Sequence, residues 1–237
     1  MRNRAIVLAV TAGLLLAGVL GFSAVPAAAT TTQPAQYVTV SAASSTSTYA
    51  TVEAWQRQAD GRYKRVASFP KARIGSQGMG STSETRSRTP TGQFLLSQSF
   101  GMKPNPGATV SYLHVDRNDI WTGSTGTIIN QHRRCAPGTC IAAQVGAAER
   151  LSNYPGSYDY GVFIGYNAAP PWGTGAVRGA GSAFFLHVKN AYATGGCVAV
   201  SESQMIWLLR WFRATSRPTI SIGVGRAAYA PIPNRYV

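Results

Sequence analysis

Apolar residues in this chain occur mostly in short runs bounded by glycine, proline and small polar residues. Asp60-Gly61 separates two β-prone runs and predicts a β-hairpin formed by residues 51–58 and 62–70. The polar, glycine-rich residues 75–90 predict a loop. Further short strands are predicted at residues 93–96, 112–115, 127–129, 160–166, 183–189 and 219–224.

One segment instead follows the periodicity of an α-helix. Ser201 is followed three residues later by Gln204, which is the signature of a capping box. Apolar residues then recur at positions i, i+3, i+4 and i+7, and they predict a helix over residues 201–213. A second, shorter helix is predicted at residues 146–153. Many short strands with one clear helix predict a mainly β domain, either a sandwich or a barrel.

The first residues have the three parts of a secretory signal peptide. A basic start precedes an apolar run, and small residues end that run at Ala29. We therefore expect a signal peptide at residues 1–29. The alternative is an uncleaved membrane anchor, because the apolar run is slightly long for a signal peptide.

The remainder of the chain suits one domain of ordinary size. Residues 30–50 are rich in threonine, serine, alanine and proline, and they predict a flexible leader. The domain itself is expected at residues 51–226, followed by a C-terminal tail at residues 227–237. We expect the protein to be a monomer.

The chain is strongly basic, with 22 Lys and Arg against 8 Asp and Glu and a net charge of +14. No nucleic-acid-binding motif accompanies this charge, and nucleic acid is therefore disfavoured as a partner. Anionic cell-wall polymers are the better expectation for an exported basic protein. The expected location is secreted and associated with the cell wall, with no membrane attachment after signal cleavage.

The chain has three cysteines and three histidines. Cys135 and Cys140 lie close together and can pair, since export permits disulfides. Cys197 then remains as the odd thiol, which in a secreted protein is either intermolecular or reactive. A metal site formed by both close cysteines and His132 is the alternative, but zinc sites usually have tighter spacing and four ligands. We expect no metal.

Cys197 follows His187 by ten residues, and both lie in β-prone runs. The connection between these runs can place the two residues close together on neighbouring strands. An imidazole near a thiol accepts its proton or stabilises its thiolate. The backbone N–H groups of Gly195, Gly196 and Cys197 are candidates for an oxyanion hole, and Thr194 adds a hydroxyl. A buried structural cysteine with a core histidine remains an equal alternative from spacing alone.

Three motifs in this order resemble the bacterial L,D-transpeptidase catalytic domain of the YkuD type. They are Thr-Pro-Thr-Gly-Gln-Phe at residues 89–94, the apolar strand that ends in His187, and Gly196-Cys197-Val198. The resemblance extends over residues 51–224. It is greatest to a secreted branch found in high-GC Gram-positive bacteria.

The resemblance implies a cysteine acyltransferase that acts on peptidoglycan stem peptides. Cys197 corresponds to the nucleophile of the family, and His187 corresponds to its general base. In the family, the thiolate attacks the carbonyl of the third stem residue, the terminal D-Ala leaves, and a thioester forms. The side-chain amine of another stem then converts the thioester into a 3→3 cross-link. Neither a metal nor an organic cofactor is required.

The sequence departs from the common Ser-His-Gly-Cys-Ile/Val-Arg motif of that family. Thr194, Gly195 and Ala199 stand where the Ser, the second His and the Arg are expected, and the gap between His187 and the cysteine is short. Arg178 is a candidate to replace the missing charge. These departures leave two alternatives open: an L,D-carboxypeptidase that uses water as the acceptor, and a non-catalytic wall-binding module.

Overall fold

The computed structural model describes residues 33–237. The predicted signal peptide, residues 1–29, lies outside the described residues. The strands are β1 (Gln36–Ala42), β2 (Tyr49–Arg57), β3 (Tyr63–Arg73), β4 (Met79–Gly80), β5 (Thr89–Pro90), β6 (Gly92–Gly101), β7 (Tyr112–His114), β8 (Asp119–Trp121), β9 (His132–Arg134), β10 (Glu149–Arg150), β11 (Gly161–Ile164), β12 (Phe185–Val188), β13 (Val198–Val200), β14 (Thr219–Val224) and β15 (Arg235–Tyr236). The α-helices are α1 (Ala142–Val145) and α2 (Glu202–Trp211), and the 3-10 helices are Leu151–Asn153, Ala214–Ser216 and Gly225–Tyr229.

Most strands belong to one sheet that closes on itself. Its order is β11-β12-β13-β3-β2-β1-β14-β6, and β6 pairs again with β11. β7 adds to β6, and β15 adds to β3. Closure leaves few of the open edges on which a sheet of this length would otherwise aggregate. The predicted mainly β fold with one main helix is confirmed.

The predicted hairpin is formed by β2 and β3, which pair antiparallel over almost their whole length. Its turn contains Gly61, whose φ of +81° favours glycine. The Asp60 carboxylate accepts hydrogen bonds from the backbone N–H and the guanidinium of Arg62, at 2.9 and 2.7 Å. The Asp-Gly signal therefore predicted the turn for the correct physical reason.

Helix α2 begins with the predicted capping box. The Ser201 hydroxyl accepts from the N–H of Gln204 at 3.4 Å, and the Gln204 side chain accepts from the N–H of Ser201 at 2.9 Å. The apolar stripe of the helix packs into the main core beside the sheet. Within residues 33–237, no helix is long and apolar enough to span a membrane.

The predicted flexible leader at residues 30–50 is wrong for residues 36–42, which form β1. This strand pairs antiparallel with β2 and parallel with β14, and Val38 and Val40 are fully buried. The strand was not predicted because the segment is rich in polar residues. These residues can nevertheless be buried, because they form hydrogen bonds in the fold. Thr39 is buried and accepts a hydrogen bond from the Trp55 indole at 3.0 Å. The domain therefore begins before residue 51.

The predicted C-terminal tail at residues 227–237 is also part of the folded domain. Ile232 is fully buried in a small cluster with Tyr37, Trp55 and Tyr63. β15 then pairs parallel with β3. Only the closed sheet creates the pocket that Ile232 fills, so local sequence could not reveal it.

Two further local predictions are wrong. Residues 127–129 form a loop, and its N–H groups at Thr127 and Ile128 donate to the carbonyls of Ala143 and Gln144 in α1. Residues 146–153 do not form a helix, because β10 pairs with β8 before the 3-10 turn begins. In both places hydrogen bonds to another segment of the chain decide the local structure.

Candidate active site

Cys197 immediately precedes β13, where the loop after β12 returns to the sheet. Its sulfur accepts a hydrogen bond from the N–H of Phe185 at 3.3 Å and donates to the carbonyl of Ala183 at 3.4 Å. The residue is 8% exposed and is the free cysteine of the described chain. Backbone groups at the start of β12 thus hold the thiol in place.

His187 lies on β12, which pairs parallel with β13. The residue is 7% exposed, and the ring of Tyr158 packs edge-on against it with centroids 5.3 Å apart. Its Nδ1 lies 2.8 Å from the carbonyl oxygen of Val188. Since a carbonyl only accepts, Nδ1 carries the proton in this arrangement and Nε2 remains the basic nitrogen.

His187 and Cys197 line the same cleft, which has a volume of about 460 Å³. The hydrogen bonds of the sulfur run to Phe185 and Ala183, and no hydrogen bond joins the two side chains within residues 33–237. The structure therefore places both predicted residues in one cavity, without a direct hydrogen bond between their side chains. Catalytic hydrogen bonds are often long in proteins without substrate.

Both side chains are neutral in this resting arrangement. Burial lowers the pKa of His187 to about 4. Burial first, and then the charge of Glu149, raise the pKa of Cys197 to about 12. A thiol beside an uncharged imidazole is a pair in which the proton moves during attack rather than before it.

The loop before Cys197 is held by side-chain hydroxyls. Thr194 Oγ1 donates to the Cys197 carbonyl at 2.7 Å and accepts from the N–H of Gly196 at 3.1 Å. Thr89 Oγ1 also approaches that carbonyl, at 3.4 Å. The Thr-Pro motif thus contributes a support for the cysteine loop. The N–H of Gly196 is occupied, which leaves those of Gly195 and Cys197 as the candidates for oxyanion donors.

Gly196 is required by its surroundings. Its φ is +140°, and an added Cβ would lie 2.5 Å from the Phe184 ring and 2.9 Å from the Arg88 carbonyl. Contacts that short do not occur for real side chains, so the backbone packs closely only because glycine stands there. The glycine before the cysteine therefore sets the path of the loop.

Two carboxylates line the cleft that were not predicted from the sequence to be part of the site. Glu149, on β10, accepts a hydrogen bond from the Tyr158 hydroxyl at 2.9 Å. Glu84 accepts from the hydroxyls of Ser124 and Ser182. Both glutamates line the cleft. Neither glutamate was assigned a role from the sequence, because the two segments meet the site only in the folded chain.

Arg178, which was predicted to replace the missing arginine, does not line the cleft. Its guanidinium donates to the carbonyl of Thr125, and the basic side chain that lines the cleft within residues 33–237 is Arg86. A positive charge at the site thus comes from the polar loop that precedes β5.

Cys135 and Cys140 form a disulfide, as their spacing permitted. The alternative metal site with His132 is excluded in this arrangement, because both sulfurs are bonded to each other. His132 instead contacts the carboxylate of Asp119 at 2.7 Å. No group of three metal-binding side chains occurs among residues 33–237.

Asn130 is buried next to the site, and its side-chain amide accepts two hydrogen bonds and donates two. Its oxygen accepts from the Trp121 indole at 2.7 Å and from the N–H of Ala183 at 3.0 Å. Its NH₂ group donates to the carbonyls of Tyr166 and Asn167, at 2.8 and 3.0 Å. Because Ala183 accepts the Cys197 thiol, this amide positions the segment that holds the sulfur.

Asn130→Ala is therefore expected to lower the free energy of unfolding by about 3–5 kcal/mol, because several buried polar groups lose their partner. Its φ of +52° adds strain for alanine. Urea denaturation followed by fluorescence measures this loss. The exposed Asn153→Ala is the matched control and should change stability by less than about 0.5 kcal/mol. Equal effects of both substitutions would contradict a central role for Asn130.

Comparison with known proteins identifies the family. The model of the YkuD family, described as the L,D-transpeptidase catalytic domain, matches residues 35–222. The match begins just before β1, in agreement with the folded N-terminal strand. No curated protein matches the sequence. A match over most of the chain, together with a cysteine and a histidine in one cleft, leads to one conclusion: the chain belongs to the YkuD family of L,D-transpeptidase catalytic domains.

Proposed function

We propose that the protein forms 3→3 cross-links between peptidoglycan stem peptides through a thioester on Cys197. Membership of the family supports L,D-transpeptidase-type activity and a peptidoglycan substrate. The single observation that carries the finer proposal is the placement of Cys197 and His187 in one cleft.

The first step is acylation. Nε2 of His187 takes the thiol proton as the sulfur attacks the carbonyl carbon of the third stem residue. The oxyanion lies against the N–H groups of Gly195 and Cys197, beside the hydroxyl of Thr194. The imidazolium then protonates the amine of the departing D-residue, and the thioester remains.

The second step is transfer to an amine. The side-chain amine of a diamino acid on a second stem attacks the thioester, and the thiol is released. Dividing one amide exchange into two acyl transfers needs no nucleotide energy source outside the membrane. The neutral resting state of the pair favours this scheme, because neither group must first bury an unpaired charge.

We also propose that the protein acts outside the cell, at the wall. The basic and apolar pattern of residues 1–29 supports export. The disulfide between Cys135 and Cys140 fits an oxidising compartment. The net charge of +14 favours retention on anionic wall polymers, which salt should reverse.

The proposed function is tested with purified protein and disaccharide-tetrapeptides. We expect cross-linked dimers in which the third residue of one stem is joined to the third residue of the other. Tripeptide without dimer would show the L,D-carboxypeptidase instead. Unchanged substrate together with no carbapenem adduct on intact protein would indicate a wall-binding module and overturn the enzymatic proposal.

A further inference from the structure

The cleft contains more acidic than basic side chains, whereas the protein as a whole is strongly basic. Six of the eight acidic residues form ion pairs with basic side chains. The two that form none within residues 33–237 are Glu84 and Glu149, and both line the cleft with the cysteine. In a chain with 22 basic residues, two unpaired carboxylates in one cavity favour a cationic ligand there.

The two carboxylates differ in how many further hydrogen bonds they can accept. Glu84 is used within the fold, since it accepts from the N–H of Ser124 at 3.1 Å and from the Ser182 hydroxyl at 2.9 Å, in addition to the Ser124 hydroxyl. Among residues 33–237, Glu149 accepts from the hydroxyls of Tyr158 and Tyr154 only. An ionised carboxylate accepts about four hydrogen bonds, so Glu149 retains free capacity.

Glu149 is also close enough to the sulfur for the two to interact electrostatically. Its negative charge is the second cause, after burial, of the raised pKa of Cys197. Tyr158 connects the two functions, because its hydroxyl donates to Glu149 while its ring packs against His187. A cation bound at Glu149 therefore lies in the same cleft as the reacting sulfur.

We propose that Glu149 is the acceptor-binding residue, whose carboxylate binds the ammonium group of the incoming stem, takes one of its protons and thereby favours amines over water. This inference rests on the proposed thioester chemistry. It also accounts for a site that lacks the second histidine and the arginine of the common family motif, since Glu149 recognises the acceptor from a different element.

The proton balance of the transfer step is complete with this assignment. The acceptor enters as R–NH₃⁺, and the Glu149 carboxylate removes one proton to give R–NH₂ and a neutral carboxyl. The free amine attacks the thioester carbonyl, a C–N bond forms and the C–S bond breaks. His187 carries one of the two protons left on the nitrogen to the departing sulfur, which ends as the thiol, and the nitrogen keeps the other as the amide N–H. Water carries no charge for Glu149 to attract.

The electrostatic environment of Glu149 supports this role. Burial raises its pKa to about 7, and the hydrogen bonds from Tyr158 and Tyr154 oppose that rise. The other charged or titratable groups that line the cavity are Glu84, Arg86, His187 and Cys197. A carboxylate whose pKa lies near 7 is a better proton acceptor for an amine than one with an ordinary pKa.

The test is Glu149→Gln, which keeps the size of the side chain and removes its charge. Two quantities are measured: the rate of carbapenem acylation by intact mass, and the ratio of dimer to tripeptide formed from disaccharide-tetrapeptides. We expect faster acylation, because loss of the charge lowers the pKa of Cys197. The ratio of dimer to tripeptide should fall at least tenfold. Glu202→Gln, at a half-buried position on α2, makes the same chemical change outside the cleft and should alter neither quantity.

The outcomes separate this inference from the proposed function. Acylation with an unchanged dimer-to-tripeptide ratio in Glu149→Gln overturns the role of Glu149 and leaves the thioester chemistry intact. Wild-type protein that yields tripeptide alone also overturns it. Wild-type protein without any carbapenem adduct overturns both. If Glu149→Gln does not fold, Glu149→Asp provides the comparison: it retains the charge and should keep a preference for amines, with a raised KM for the acceptor.

Discussion

Cys197→Ala is expected to abolish both the carbapenem adduct and the formation of cross-linked dimers. The proposed chemistry passes entirely through the sulfur, and no other thiol lines the cleft within residues 33–237. Loss of a nucleophile typically lowers turnover by at least about 10⁴-fold. Intact-mass spectrometry and muropeptide chromatography measure the two effects.

The substitution should leave the fold in place. Alanine fills most of the same space, and the N–H of Phe185 loses one weak acceptor, at a cost of about 1 kcal/mol. The matched control is the double variant Cys135→Ala with Cys140→Ala, which removes the disulfide and should retain an adduct on Cys197. An adduct that persists on Cys197→Ala would place the nucleophile elsewhere.

His187→Ala is expected to slow acylation by about 10²–10⁴-fold, because the thiol then has no positioned proton acceptor. The high pKa of Cys197 makes the loss severe, since hardly any thiolate exists at neutral pH without a base. Stopped-flow or time-resolved mass measurement of carbapenem acylation tests this. His114→Ala removes an exposed histidine from the end of β7 and serves as the control.

The pH dependence of acylation follows from the same pair. The pKa of His187 is lowered to about 4, so the imidazole is the neutral, basic form at every pH above that value. Acylation by wild-type protein should therefore keep its histidine-dependent component down to about pH 5 and lose it as the pH falls through 4. A His187→Ala variant that acylates at the wild-type rate would contradict the assignment of the base.

The parts of the fold that the sequence predicted correctly have local causes. The turn at Asp60-Gly61 and the capping box of α2 both depend on hydrogen bonds between residues two or three positions apart. The strands β1 and β15 were missed because each depends on a partner far along the chain, β14 for β1 and β3 for β15. β1 lies between β2 and β14, and β15 depends on β3.

The candidate site divides in the same way. Cys197 and His187 were identified because each is rare in the chain and lies in a recognisable motif on neighbouring strands. Glu149 and Asn130 were not, because their importance depends on what they contact. The carboxylate of Glu149 reaches the cleft only when β10 pairs with β8, and the amide of Asn130 meets Trp121 and Ala183 only in the closed fold.

The sequence by itself therefore determined the family, the mainly β architecture and the two side chains proposed for thiol chemistry, since motif order and short-range hydrogen bonding are written in neighbouring residues. Only the tertiary structure decided the extent of the domain, the neutral resting state of Cys197 and His187, and the acidic character of their cleft. The physical reason is that burial and electrostatic coupling are properties of the surroundings. A pKa or a free carboxylate is set by which distant segments the fold packs around it.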